Sequence, residues 1–138
     1  MTVYVDASVL LRVVLGEPGA LSGWPSISPV SSELTRVECL RVIDRAHVSL
    51  RVSDEESARH RSDILEALSS FRLVSVSSAI LQRAADPFPT ALGSLDAIHL
   101  ATALELRDEI PGLALATHDR ELAVAAGAVG FAVSGVKL

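Results

Sequence analysis

Four acidic residues stand where local pattern can gather carboxylates: Asp6 after Val3-Tyr4-Val5, Glu38 inside Leu34-Thr35-Arg36-Val37-Glu38, Asp96 in Leu95-Asp96-Ala97-Ile98-His99-Leu100, and Asp119 just beyond Leu113-Ala114-Leu115-Ala116-Thr117. Carboxylates forced together repel and raise one another's pKa, so a fold tolerates them best with a cation among them. Oxygen donors without a thiolate or a histidine pair select a hard ion, Mg2+ or Mn2+, and Mg2+ keeps several waters that leave room for a phosphate. The competing reading is structural. Asp6 and Asp119 then cap helices, Asp96 serves a helix dipole, and Glu38 pairs with Arg41 or Arg45 on a solvated face.

Positioning these acids is the task of the surrounding elements. Asp96 opens an apolar helix running from Leu95 to about Arg107, with Ser94 as the expected N-cap; a first-turn carboxylate there meets unpaired backbone N-H groups. Val3 to Val5 reads as a strand, Ala7 to Leu15 as a helix, and Gly19 to Ser26 as a loop holding the lone Trp24. Ile27 to Val30 is a short extended segment, and Ser31 or Ser32 is expected to cap a helix reaching Val48. Ser53 and Glu56 have capping-box spacing before a helix over Asp54 to Ser69. Phe71 to Val76 predicts a strand, Ser77 to Ala85 a helix, Leu113 to Thr117 a strand, and Asp119 to Ala126 a helix closed by Gly127. Val129 to Val133 predicts a last edge strand.

This alternation predicts an α/β fold: a doubly wound, mostly parallel central sheet flanked by helices. Ligands of such sheets sit outside the carboxyl ends of the strands, which is where Asp6 and Asp119 fall. A helix N-terminus faces the same edge and brings Asp96 with it. Glu38 reaches that edge only if its helix turns the right face inward.

Length and composition set the bounds. A chain of 138 residues with 49% hydrophobic content predicts a single domain over 1–138 with its own core, and 4% aromatic content means a core of Val, Leu, Ile and Ala. No run approaches the roughly 18 apolar residues of a membrane span, and the N-terminus leads directly into a strand, so the expectation is a cytoplasmic protein with no membrane partner. The single Cys39 excludes an internal disulfide and reads as a small buried residue. A net charge of −5 argues against a polyanion partner, unless a cation offsets the acids locally. Eleven arginines accompany one lysine, Lys137.

Together, Val3-Tyr4-Val5-Asp6-Ala7-Ser8, the Glu38 segment, Leu95-Asp96-Ala97-Ile98-His99-Leu100-Ala101-Thr102-Ala103 and Thr117-His118-Asp119-Arg120-Glu121-Leu122 resemble a PIN domain. The nearest likeness is to VapC toxin nucleases of bacterial and archaeal toxin-antitoxin pairs, and it spans essentially the whole chain. The resemblance implies a Mg2+- or Mn2+-dependent endoribonuclease whose acidic cluster is Asp6, Glu38, Asp96 and Asp119. Asp6 and Asp96 would be the principal ligands, with Glu38 and Asp119 ligating directly, through water, or to a second ion. A metal-activated water would attack the RNA phosphodiester. Ser8 and Thr117 would orient the acids without ligating. A cognate antitoxin and a homodimer are further implications.

Other chemistries fit less well. A receiver-type phosphoacceptor module acting through protein partners also binds Mg2+ at strand ends, but it needs a lysine from a late strand, and Lys137 is the penultimate residue. A haloacid-dehalogenase-type phosphatase needs a second aspartate where Ser8 stands. A non-catalytic relative that kept the fold is the remaining alternative, against which stands the presence of all four acids. Among single residues, the apolar company of His99 points to a hydrogen-bonded packing histidine. Arg12, Arg41 and Arg120 are placed to hold phosphates, or else form surface ion pairs. His118 adjoins Asp119 but is assigned no role, and Trp24 is expected to close the core.

Overall fold

The central strand is β1, Thr2–Val5, whose β-branched and aromatic residues are buried on both sides, as a parallel sheet requires. The computed structural model describes residues 1–138. β2 (Ser28–Ser32) and β4 (Ala114–Ala116) flank β1, with Tyr4 in register with Val30 on one side and Leu115 on the other. β3 (Arg72–Val74) and β5 (Val133–Ser134) form the edges. Every pairing is parallel, giving the order β3-β2-β1-β4-β5. The mostly parallel expectation is therefore met by an all-parallel sheet. Strand order reverses between β1 and β4, which opens a crevice beyond their carboxyl ends.

Six helices complete the alternation: α1 (Ala7–Val14), α2 (Leu34–Ser49), α3 (Asp54–Leu68), α4 (Ser78–Ala85), α5 (Ser94–Glu109) and α6 (Arg120–Ala128). Tyr4 packs with Leu100, Leu106, Leu115 and Leu122, so α5 and α6 close one face. Val3 and Val5 point the other way, toward Val9 and Ala116. Beyond them Ala7, Leu10, Cys39, Ile43, Ile64 and Leu68 join α1, α2 and α3. Cys39 is buried, as expected, and burial pushes its thiol up to about 12. Trp24 sits in a 3-10 turn with its ring 5.9 Å from that of Phe71, where it closes the core. No helix is long and apolar enough to cross a membrane.

Several boundaries move for identifiable reasons. Ser31 and Ser32 end β2 and are fully buried, although Ser32 Oγ still accepts from the Leu34 N-H at 3.0 Å. The N-cap of α5 is Gly93 in extended conformation, so Ser94 lies inside the helix and Asp96 is its third residue. α6 passes through Gly127 to Ala128, and Gly130, one residue beyond the cap Val129, supplies the left-handed residue with a φ of 99°. The Phe131 and Gly130 N-H groups bond Ala126 and Gly127 carbonyls, the Schellman closure.

Candidate active site

Asp6 follows β1 directly and caps α1, accepting from the Val9 N-H at 3.3 Å. It is 4% exposed, and a buried carboxylate demands donors. Ser8 Oγ donates to Oδ1 at 2.6 Å and Thr117 Oγ1 donates to Oδ2 at 2.6 Å. Those hydroxyls are themselves held. Ser8 Oγ accepts from the His118 N-H at 2.9 Å, and Thr117 Oγ1 accepts from the Asp119 N-H at 2.9 Å. The loops after β1 and β4 are thus laced together across the crevice. His118 Nδ1 lies 2.8 Å from the Gly135 carbonyl, and a Cβ on Gly135 would collide with the Thr117 carbonyl, so the tail packs directly on this loop.

Asp119 caps α6 through Oδ1, which accepts from the Leu122 N-H at 3.2 Å. The structural expectation for Asp6 and Asp119 therefore holds, but a cap uses only part of a carboxylate. Asp96 makes no side-chain hydrogen bond. Burial pushes its carboxyl from the usual 3.8 up to about 6, and the charges of Asp119, Asp6 and Glu38 add to the rise while His99 opposes it. Asp119, Asp6 and Glu38 therefore lie near enough for their charges to act on Asp96.

Glu38 needed its helix face settled, and packing settles it. Ser31 Oγ donates to the Val5 carbonyl at 2.6 Å and lies 2.7 Å from Thr35 Oγ1, pinning the first turn of α2 against the end of β1. Glu38, one turn later, turns inward and meets His99 Nε2 at 2.5 Å. The expected pairing of Glu38 with Arg41 or Arg45 on a solvated face is replaced by the contact with His99, and Arg41 pairs with Asp44 at 2.9 Å. Arg12 lies in the last turn of α1, away from the crevice, and Arg120 donates to the Lys137 carbonyl. A cleft of about 500 Å3 is lined by Ser8 and Glu38 together with the apolar Val37 and Leu95 and the cationic Arg41 and Arg45.

The donor set is all oxygen, which suits Mg2+ or Mn2+. Asp96 has both carboxylate oxygens unengaged, and Asp119 and Glu38 each keep one. No three His, Cys, Asp or Glu side chains converge closely enough to cage an ion as they stand. An ion that retains several of its waters does not require an all-protein cage. Sequence pattern did not reveal Tyr4, whose hydroxyl lies 2.8 Å from His99 Nδ1. The one available signal was the three-residue step from Asp96 to His99, which places both on one side of α5.

The family model of the PIN domain matches residues 3–128. Ribonuclease VapC35 of Mycobacterium tuberculosis is 33% identical over 138 residues, covering 95% of this chain and 94% of that protein. Ribonuclease VapC47 of the same organism is 31% identical over 137 residues, covering 94% and 93%. The crystal structure of VapBC2 from Rickettsia felis bound to a DNA fragment from their promoter superposes with a TM-score of 0.68 at 10% identity, over 97% of this chain and 98% of that one, a likeness of fold.

Proposed function

The chain belongs to the PIN-domain family, and on that premise we propose that it is a Mg2+- or Mn2+-dependent endoribonuclease, the toxin of a toxin-antitoxin pair. The observation that carries this reading is the placement of Asp6 and Asp119 at the ends of β1 and β4, joined through Thr117 at the strand-order reversal, with Asp96 raised by burial and further by the charges of Asp119, Asp6 and Glu38. Relatives named ribonucleases support the reaction class, and a solved VapBC complex supports an antitoxin partner. A homodimer and a single domain over 1–138 belong to the same proposal.

In this reading Asp6 and Asp96 hold the ion, with Glu38 and Asp119 completing the set directly or through water. When bound, the ion supplies an acidified water and offsets charge on the phosphate oxygens. The chain's own contribution is to fix the donors. Ser8 and Thr117 clamp both oxygens of Asp6, so its orientation is set before anything binds. Asp96, with no hydrogen bond to break, is free to ligate. The strand lies along the cleft, where Arg45 meets a flanking phosphate and Arg41 does so by exchanging its exposed pairing with Asp44.

The test is cleavage of RNA by purified protein with Mg2+ or Mn2+, its arrest by EDTA, and its loss in Asp96→Asn with an unchanged circular dichroism spectrum. Cleavage by Asp96→Asn at the wild-type rate removes the proposal.

A further inference from the structure

Glu38 is the one acid of the four that stands neither at a strand end nor in the first turn of a helix. It hangs from the second turn of α2 on a long side chain with several rotamers open to it. Its partner is unusual. His99 is 1% exposed, and both ring nitrogens are engaged inside the protein: Nδ1 by the Tyr4 hydroxyl at 2.8 Å, Nε2 by Glu38 Oε1 at 2.5 Å. The Tyr4 and His99 rings also meet edge to face, 5.9 Å apart at 71°.

We infer that His99 is the positioning residue of Glu38, oriented by Tyr4 so that its Nε2-H holds one carboxylate oxygen and leaves the other to the acidic site. The inference rests on the nuclease reading, because it assigns Glu38 a task there.

Donor and acceptor counting supports it. Tyr4 is fully buried, and burial raises its phenol well above the ordinary value, so the hydroxyl keeps a proton to donate. An ionised carboxylate only accepts. In the neutral ring one arrangement satisfies both contacts: Tyr4 O-H donates to Nδ1, and Nε2-H donates to Glu38. The string also spans the elements that carry the other acids. Tyr4 lies two residues before Asp6 on β1, His99 lies one helical turn after Asp96 on α5, and Glu38 comes from α2. Contacts 95 and 61 residues apart thereby set Glu38 relative to Asp6 and Asp96. His99 does for Glu38 what Ser8 and Thr117 do for Asp6.

The experiment titrates Mn2+ into the metal-free full chain by calorimetry, for wild type, His99→Met, His99→Gln, Glu38→Gln and the His99→Met/Glu38→Gln double variant. Nitrogen-15 NMR of the wild-type imidazole runs beside it. We expect His99→Met to weaken Mn2+ binding roughly 10- to 100-fold. His99→Gln, whose amide N-H stands in for Nε2-H, recovers most of that loss. On the Glu38→Gln background, His99→Met adds nothing further. NMR should place the proton on Nε2; Tyr4→Phe, which keeps the ring and removes only the donor to Nδ1, should leave it there while weakening Mn2+ binding, and carries the test should His99→Met fail to fold. A full additional loss in the double variant, or a wild-type Nε2 without a proton, overturns the inference. Wild type that binds no Mn2+ while Nε2 carries its proton removes the nuclease reading instead, and the two failures are told apart.

Discussion

The Thr117 hydroxyl donates to Asp6 Oδ2 across 2.6 Å, joining residues 111 apart in sequence and two strands on either side of the sheet's reversal point. Because Thr117 Oγ1 also accepts from the Asp119 N-H, one small side chain sets the relation between two acids. Thr117→Val keeps the shape and deletes the hydroxyl. It should cost about 1–3 kcal/mol in urea unfolding, the penalty of leaving a buried carboxylate oxygen without its donor. Mn2+ affinity, read by calorimetry, should fall while Thr117→Ser stays near wild type.

The raised carboxyl of Asp96 makes stability depend on pH in a defined direction. Its folded pKa of about 6 lies above the unfolded value near 3.8, so between them the folded state binds more protons. This group's contribution to metal-free stability is therefore present below about pH 4 and is lost as pH rises through about 6. Asp96→Asn should flatten that part of the curve and raise the melting temperature at pH 7 relative to wild type. A wild-type curve that climbs through this window to the same extent as the variant's would contradict the assignment.

Adding the ion should reverse the order. A ligand at a hundred times its Kd stabilises by about 2.7 kcal/mol when it binds only the folded state. Saturating Mg2+ or Mn2+ should raise the melting temperature of wild type and leave Asp96→Asn and Asp6→Asn nearly unmoved, and EDTA should return wild type to its metal-free value. Equal shifts in all three proteins count against ligation by these acids.

Gly135 supports the site from the tail. Its φ of 100° is a left-handed conformation, and a Cβ there would strike the Thr117 carbonyl. Gly135→Ala should destabilise by about 1–3 kcal/mol. Because the displaced backbone carries Thr117, RNA cleavage should drop more than the stability loss explains; the check is activity measured at a temperature where the variant remains folded.

Local physics made much of the molecule legible in its sequence. Strand and helix follow from periodicity over a few residues, and Ser53, Ser77, Asp6 and Asp119 cap where short-range hydrogen bonding favours them. Where local choices were nearly equal, the sequence misled by a few residues. Gly127 gave way to Gly130 because a left-handed residue was needed one position after the cap, and Ser31 was drawn into β2 because its hydroxyl bonds the end of β1.

By itself the sequence determined that Asp6, Asp96 and Asp119 stand at strand ends or a helix start, since a parallel alternation sends all of those to one edge. Tertiary packing alone decided that Glu38 faces the same edge and that His99 and Tyr4 hold it. A helix side chain has several rotamers and solvated partners of similar free energy. Only a core that buries His99 and excludes water makes one pairing, across 61 residues, better than the rest.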